Sequence, residues 1–351
     1  MSDKVIEIPS PSRLRLDSRA LVENWQNLDK KSGRAKAGAA VKANAYGLGA
    51  VEVVCHLQEA RCTDFFVANW QEAIELQAEI KSGSRLSVLN GVRQEDMAYA
   101  ISSPAKPVIN SLEQARRWQS TGLPCDVMVN SGMNRLGVNL EDLSQFDWST
   151  LDIDIVLSHL ASADEDCPQN ADQLEQFTAA LKHLPGNRRS LSNSAGIALG
   201  SAYHFDCTRP GLSLYGGQQR PELAGSIQQI VFPEAQILQI RMLKPGDKVG
   251  YNANYTADHD HPIAILAMGY ADGYLCGFSN QGIFYHDEAK LPVLGRVSMD
   301  LIAVDISNAP HLKESDWVTA EYNLPLASSL SGISQYELIT GLGNRYIRYW
   351  V

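Results

Sequence analysis

The sequence predicts an α/β protein in which an N-terminal (β/α)8 TIM-type barrel precedes a C-terminal, mostly β domain. Short apolar runs alternate with amphipathic stretches over the first two thirds of the chain, and eight such runs occur. In the last third the helical periodicity nearly disappears. The chain has 351 residues, of which 44% are hydrophobic and 20% charged, as is typical of a soluble globular protein.

The eight apolar runs, each followed by a polar or glycine turn, are predicted as the barrel strands. They cover residues 37–41, 65–68, 86–89, 107–109, 127–129, 153–157, 190–192 and 205–208. Apolar residues at helical spacing predict helices over residues 18–28, 51–57, 70–80 and 173–181. A doubly wound sheet is the alternative, but eight even units and no glycine fingerprint after the first strand favour the barrel.

The last third predicts strands separated by turns. These strands cover residues 237–241, 263–267 and 301–305. We therefore predict a barrel domain over residues 10–227 and a β-rich domain over residues 228–351. An isolated strand predicted at residues 5–8 could join either domain, and residues 1–9 are assigned to the second.

Charge and cysteine content limit the partners and the compartment. The formal net charge of -10 argues against nucleic acid and anionic membrane surfaces as partners. The start of the chain lacks the apolar core of a signal peptide, and no apolar stretch is long enough for a membrane helix. Six cysteines without a C-x-x-C pair predict reduced thiols in the cytoplasm. His259 and His261, set among aspartates, predict a solvated loop, and no metal site is predicted.

Polar residues that follow the barrel strands are candidates for the active site, because the carboxyl ends of barrel strands meet at one face. Lys42 interrupts an apolar run where the first strand should end. A poorly hydrated lysine favours the neutral amine, which can attack an aldehyde. On position alone, a lysine that reaches solvent is equally compatible. The same rule selects further residues, namely Tyr46, Asn130, Gly132, Arg135, His159, Asn193, Ser194, Arg209 and Gly211.

Eight blocks of sequence together resemble the alanine racemase family. They are AVKANAYGLG (40–49), NSGMNRLG (130–137), SHLA (158–161), NSA (193–195), RPGLSLYG (209–216), GYNANYTA (250–257), GYADGY (269–274) and GRVSMD (295–300). The blocks follow the family's order and span nearly the whole chain. The resemblance implies a homodimeric enzyme that uses pyridoxal 5′-phosphate to interconvert L-alanine and D-alanine, with a barrel and a C-terminal β domain.

The resemblance also implies roles for single residues. Lys42 is similar to the lysine that binds the cofactor and serves as one acid–base group, and Tyr251 to the second base, donated by the partner subunit. The other residues similar to cofactor ligands are Tyr46, His159, Asn193, Ser194, Arg209, Tyr336 and the backbone N–H groups of Gly211 and Leu212. Substrate-binding residues would be Arg135 and Met299, and residues of the substrate channel Asp164 and Tyr274. Ser194 could also cap the helix that follows it, and capping is compatible with phosphate binding there.

These residue types suit racemisation. Two acid–base groups on opposite faces of the α-carbon can remove and return its proton without moving the substrate. A tyrosine with an ordinary pKa of about 10 needs neighbouring positive charge to act as a base, and His159 and Arg209 are the expected suppliers. An arginine cannot protonate the cofactor's ring nitrogen, so Arg209 favours racemisation over transamination.

Two positions depart from the family, and three alternatives remain open. Met128 stands where many relatives carry a modified lysine that orients the arginine matching Arg135, and Leu275-Cys276 replace the usual Pro-Arg. The alternatives are a racemase that is broader or acts on serine or lysine, a barrel-type pyridoxal-phosphate decarboxylase or aldolase, and a non-enzymatic carrier of the cofactor. The enzyme would supply D-alanine for cell-wall peptidoglycan or for D-amino-acid catabolism.

Overall fold

A computed structural model describes residues 9–351, which form two compact units. The barrel unit comprises Arg19–Gln228, and the C-terminal unit comprises Gln229–Val351 together with residues 9–18. The strand predicted at residues 5–8 lies outside the described residues. Within the described part of the chain, no helix has the length and apolar character needed to cross a membrane.

Between Lys36 and Thr208, eight parallel strands close into a barrel, which confirms the predicted fold class. In chain order, the first to eighth barrel strands are Lys36–Ala37 with Ala39–Ala40, Asp64–Val67, Arg85–Val88, Lys106–Ile109, Pro124–Asn130, Asp152–Leu157, Arg188–Ser190 and Cys207–Thr208. The Asp206 N–H donates to the Arg189 carbonyl (3.0 Å), which joins the seventh strand to the eighth. The eighth strand pairs with Lys36–Ala37, and this pairing closes the ring.

Gly38 divides the first barrel strand into two halves. A Cβ at this position would lie 2.7 Å from the Asp64 carbonyl oxygen and 2.9 Å from Phe66 Cε2. The half Lys36–Ala37 pairs with the eighth strand, and the half Ala39–Ala40 pairs with the second. The first strand therefore pairs with a different neighbour in each half, and it ends two residues before Lys42.

Charged side chains link six barrel strands near the strands' amino-terminal ends. Arg188 contacts Asp64 and Asp154 at 2.9 and 2.8 Å, so it joins the second, sixth and seventh strands. Arg85 contacts Asp64 at 2.8 Å. Lys106 contacts Asp126 at 2.6 Å and also Asp154. We call Asp64, Arg85, Lys106, Asp126, Asp154 and Arg188 the charged ring.

The helices form where apolar periodicity predicts them, with shifted ends. Ser18–Lys31 buries the predicted face of Leu21, Trp25 and Leu28. The predicted helix over residues 173–181 begins earlier, with Pro168 in its first turn, where a proline needs no N–H partner. The helix bounds are Ser18–Lys31, Ala50–Glu59, Trp70–Leu76, Met97–Ala100, Leu112–Trp118, Pro168–Ala180, Ser194–Ala198, Leu324–Ser331 and Gln335–Thr340.

The C-terminal unit is built on an eight-stranded sheet with mostly antiparallel pairing. Its strands are Ser12–Leu16, Val231–Leu243, His261–Leu266, Ile283–His286, Ala289–Leu294, Ile302–Asp305, Trp317–Ala320 and Ile347–Trp350. Val231–Leu243 is the central strand, because it pairs with Ser12–Leu16, Trp317–Ala320 and His261–Leu266. A short antiparallel hairpin of Lys248–Val249 and Tyr255–Thr256 falls between the strands Val231–Leu243 and His261–Leu266 in the sequence.

Two features of the C-terminal unit differ from the sequence prediction. Leu324–Ser331 and Gln335–Thr340 are helices that were not predicted, because with 8 and 6 residues they are too short to show periodicity. The prediction of a solvated loop is wrong for His261. It begins a strand, is 2% exposed, and bonds the Tyr255 hydroxyl at 3.0 Å.

Candidate active site

Lys42 lies two residues after the end of the first barrel strand, at the carboxyl-terminal face where the prediction places it. The side chain is partly buried. Burial and the nearby positive charges of Arg135 and Arg209 lower its pKa, and the Glu72 carboxylate offsets part of this shift. A lowered pKa increases the fraction of neutral amine, which is the nucleophilic form.

Lys42 is followed by a left-handed turn of residues 43–46. Their φ angles lie between 52° and 57°, although each residue carries a Cβ. Left-handed backbone costs about 1–2 kcal/mol for each such residue. Such strain persists only where surrounding contacts hold it, and it occurs frequently at functional sites. The turn begins with Ala43 and ends with Tyr46.

Tyr46 lies against the loop that follows the eighth barrel strand. A Cβ at Gly211 would overlap the Tyr46 hydroxyl and lie 3.1 Å from Tyr46 Cζ, so the approach requires a glycine. Ser194 Oγ accepts hydrogen bonds from the N–H groups of Gly211 (3.0 Å) and Ser213 (3.2 Å). The buried Ser213 hydroxyl has no hydrogen-bond partner among the described residues. Tyr46, Ser194, Gly211 and Ser213 are called the cradle here. Because both N–H groups donate to Ser194 Oγ, the hydroxyls of Ser194 and Ser213 are the donors that the cradle can offer an anion.

Asn193 and Ser194 have different structural roles: Asn193 caps a helix, and Ser194 belongs to the cradle. Asn193 caps the helix Ser194–Ala198, because its Oδ1 accepts a hydrogen bond from the Gly196 N–H at 2.9 Å. The additional role of Ser194 as the cap is therefore wrong, and its hydroxyl serves the cradle. Leu212, the other predicted N–H donor, begins a short 3-10 helix directly after Gly211.

Arg209 and His159 lie inside the barrel with different charges. Arg209 is buried and donates to Ser190 Oγ and to the Ser158 carbonyl. Burial lowers its pKa to about 10, so it stays protonated at neutral pH. Burial, Arg209, Arg135 and Lys42 together lower the pKa of His159 to about 3. The expectation that His159 supplies positive charge is therefore wrong, because its imidazole is neutral.

Arg135 lies on an exposed loop after the fifth barrel strand, close enough to lower the pKa of both Lys42 and His159. Met128 packs in the barrel core with Phe66 and other apolar side chains. It therefore offers Arg135 no anion. Asp164 is exposed on the loop after the sixth strand, and its place in a substrate channel stays a prediction.

In the C-terminal unit, three predicted residues are exposed. Tyr251 is 69% exposed and lies in the loop of the short hairpin, where Asn252 and Ala253 have φ of 62° and 51°. Met299 is 52% exposed, and Tyr336 is 39% exposed on the helix Gln335–Thr340.

The GYADGY and GRVSMD blocks pack backbone against backbone. A Cβ at Gly269 would overlap the carbonyl oxygens of Ser298 and Met299. The Tyr270 N–H donates to the Ser298 carbonyl at 3.0 Å. Arg345 then joins the blocks through Asp272 (2.7 Å) and Asp300 (2.7 Å). The two blocks are thus one local structure.

Tyr274 does not line a channel, which corrects the prediction. It is 1% exposed and stacks on Phe278 with ring centroids 4.4 Å apart, so it belongs to the core. Tyr270, in the same block, is 40% exposed and was missed. The neighbouring sequence carried a signal, because the apolar Leu275 and Phe278 follow Tyr274 at close spacing.

A closed β/α barrel with a desolvated lysine after its first strand, followed by a β-sheet unit, defines a class of two-unit barrel enzymes. The sequence profile of the alanine racemase N-terminal domain matches residues 16–219, and that of the C-terminal domain matches residues 230–350. The chain therefore belongs to the alanine racemase family.

Individual relatives agree over nearly the full length. The alanine racemase of Rickettsia bellii is 38% identical over 334 residues, which cover 89% of this chain and 81% of the relative. The biosynthetic alanine racemase of Agrobacterium fabrum is 38% identical over 369 residues, covering 97% and 94%. The crystal structure of the Bartonella henselae alanine racemase, with covalently bound pyridoxal phosphate, superposes with a TM-score of 0.90 at 32% identity, covering 98% and 100%.

Proposed function

We propose that this protein is a pyridoxal-phosphate-dependent enzyme that interconverts L-alanine and D-alanine as a homodimer. The observation that carries the proposal is the partly buried Lys42 in the same barrel mouth as the cradle of Tyr46, Ser194, Gly211 and Ser213. The names of its relatives, and the cofactor bound to the Bartonella henselae enzyme, support this assignment.

The residues of the barrel fit the cofactor. The cradle, with the Leu212 N–H and Tyr336, would hold the phosphate, and the unpartnered Ser213 hydroxyl is a donor that awaits an acceptor. Lys42 would hold the cofactor's aldehyde carbon, while Asn193 and His159 complete the surroundings. Arg209 would donate a hydrogen bond to the ring nitrogen without protonating it. When bound, pyridoxal phosphate withdraws electrons from the substrate and acidifies its α-proton.

Lys42 and Tyr251 would exchange that proton from opposite faces. The lowered pKa of Lys42 favours its neutral amine, which is the form that can accept a proton. Tyr251 belongs to the other unit and is 69% exposed, which suits donation to the barrel of a partner subunit. Arg135 would bind the substrate carboxylate with the Met299 backbone N–H. Arg209 is then the buried cation that favours the tyrosinate, because His159 is neutral.

The test is circular dichroism of L-alanine and of D-alanine, each incubated with the purified protein and pyridoxal phosphate. We expect both signals to decay to zero, and we expect Lys42→Ala to abolish the decay. No decay from either enantiomer overturns the proposal. Faster decay of serine or lysine would reassign the substrate, carbon dioxide release would indicate a decarboxylase, and cofactor binding without turnover would indicate a carrier.

The product would be D-alanine in the cytoplasm. The relative from Agrobacterium fabrum is named biosynthetic, which supports supply of D-alanine for peptidoglycan over D-amino-acid catabolism. Growth of a strain without its own alanine racemase, rescued by this gene in the absence of added D-alanine, tests the biosynthetic role.

A further inference from the structure

Glu72 makes an unusual pair of hydrogen bonds at the start of the helix Trp70–Leu76. Asn69 caps this helix and accepts a hydrogen bond from the Glu72 N–H at 3.0 Å. In a capping box, the side chain of a glutamate at this position accepts a hydrogen bond from the backbone N–H of the capping residue. Here Oε2 accepts from the Ala68 N–H at 2.7 Å, and Oε1 accepts from the Ala43 N–H at 2.8 Å. One carboxylate therefore joins the second barrel strand to the residue after the active lysine.

The fourth barrel strand is followed by the same arrangement with a glutamine. Ser111 accepts a hydrogen bond from the Gln114 N–H at 3.2 Å, and Gln114 Oε1 accepts from the Asn110 N–H at 2.9 Å. A side-chain amide is thus sufficient to complete a helix start in this barrel. An amide has one acceptor oxygen, whereas a carboxylate has two. The carboxylate of Glu72 is therefore required by its second partner, the Ala43 N–H.

The bond to Ala43 holds the beginning of the left-handed turn (residues 43–46). The turn has a second anchor, because Asn44 Oδ1 accepts a hydrogen bond from the Ala50 N–H at 2.8 Å. Residues with a Cβ avoid this backbone conformation, so the turn relies on such contacts. Of these two side-chain anchors, Glu72 is the charged one, and hydrogen bonds to charged groups are the stronger kind.

We propose that Glu72 is a positioning residue that fixes this turn and thereby places Lys42, which directly precedes the turn, and Tyr46, which ends it. Glu72 is also the negative charge that opposes the lowering of the Lys42 pKa by burial, Arg135 and Arg209. The effect on catalysis rests on the proposed function. The effect on the turn does not, because it concerns the chain alone.

Hydrogen exchange of the protein without cofactor tests the turn. We expect amides within residues 42–48 to exchange about tenfold or more faster in Glu72→Gln and Glu72→Ala than in the parent. Gln114→Ala is the matched control. It loses the corresponding hydrogen bond after the fourth barrel strand, so it should speed exchange only at the start of the helix Leu112–Trp118. Unchanged exchange of residues 42–48 in both Glu72 variants would overturn the proposal. Glu72→Gln keeps the volume of the side chain, and its far-ultraviolet spectrum verifies folding.

Kinetics and spectroscopy with pyridoxal phosphate test the positioning. In Glu72→Gln we expect kcat to fall about tenfold with little change in the KM for alanine, and the absorbance of the bound cofactor to shift. Gln114→Ala should keep the parent values. Faster exchange with parent kcat and parent absorbance would reduce Glu72 to a stabilising residue and refute its positioning role. An inactive parent protein would instead refute the proposed function, while the exchange data would still decide the role of Glu72 in the turn.

Discussion

At the scale of single residues, Gly211 shows how a missing side chain shapes the site. Its φ of -128° does not lie in the left-handed region that favours glycine. The reason for the glycine is distance, because a Cβ would overlap the Tyr46 hydroxyl. The Tyr46 ring cannot withdraw freely, since it packs against Tyr215 with centroids 4.9 Å apart. Gly211 therefore keeps the cradle narrow.

Gly211→Ala should weaken pyridoxal phosphate binding about tenfold, because forcing an extra carbon into a packed site costs about 1–3 kcal/mol. Fluorescence titration of the chain with the cofactor measures this change. In a Tyr46→Phe background the same substitution should cost less, since the overlapping hydroxyl is absent. Equal losses in both backgrounds would show that the overlap is not the cause.

Much of the site could be predicted residue by residue, and the failures have physical reasons. The strand-end rule selected Lys42, Ser194 and Arg209, because the carboxyl ends of barrel strands meet at one face. It could not separate Asn193 from Ser194, since both residue types cap helices. It could not predict the neutral His159 either, because that charge depends on burial and on three cations brought together by the fold.

At the scale of elements, the charged ring explains why several strands begin earlier than predicted. The apolar runs suggested starts at residues 65, 86 and 107, whereas the strands begin at Asp64, Arg85 and Lys106. Each first residue is charged, so apolar periodicity excluded it. These charges point toward each other across the barrel, as their contacts show. Such pairings between distant residues leave no periodic trace in the sequence.

The charged ring makes stability depend on pH. Burial alone would raise the pKa of Asp154, but Arg188 and Lys106 outweigh it and hold the pKa at about 2. Arg85 and Arg188 hold the pKa of Asp64 well below its usual range, again against the effect of burial. A carboxyl whose pKa is lower in the folded than in the unfolded protein stabilises the folded state. Its contribution is fully present above the unfolded pKa of about 4. The stabilisation is lost as the pH falls from there toward the folded value.

Arg188→Met should lower the free energy of unfolding by about 3 kcal/mol at pH 7, because it removes one cationic partner from both Asp64 and Asp154, which keep only Arg85 and Lys106. The difference in the free energy of unfolding between parent and variant should become smaller as the pH falls from about 4 toward 2, because the carboxyls become protonated in this range. Urea unfolding at pH 7 and pH 3 measures both effects. Arg189→Met is the control, since Arg189 is exposed and lies 3.8 Å from Asp206. Equal losses for the two variants, or a gap independent of pH, would contradict the prediction.

At the scale of the whole molecule, the two proposed acid–base groups are carried by separate units. Lys42 lies in the barrel unit and Tyr251 in the C-terminal unit. Periodicity predicted both kinds of unit, because eight strand–helix repeats and a run of strands differ in pattern over long stretches. It could not predict the left-handed turn (residues 43–46), since no glycine marks it. A single sequence also does not show whether Tyr251 acts with Lys42 of its own chain or with Lys42 of a partner chain.

Complementation of two inactive variants tests sharing between subunits. Lys42→Ala and Tyr251→Phe should each abolish racemisation alone. Chains of both variants assembled at random should recover about a quarter of the parent activity, because half of the dimers are mixed and each holds one intact site. Isolated mixed dimers without activity would show that Lys42 and Tyr251 of one chain act together.

The divided first strand also sets the order in which the barrel can mature on the ribosome. The Gly38 N–H donates to the Thr208 carbonyl at 2.9 Å, and the Ala40 N–H to the Pro210 carbonyl at 2.9 Å. Those acceptors are made some 170 residues after their donors, and contacts of such long range form late in folding. The first barrel strand therefore lacks one of its two neighbouring strands until the eighth barrel strand has left the ribosomal exit tunnel. A nascent chain released before that point would carry Lys42 without the loop proposed to hold the cofactor's phosphate, so we expect the cofactor to bind after translation.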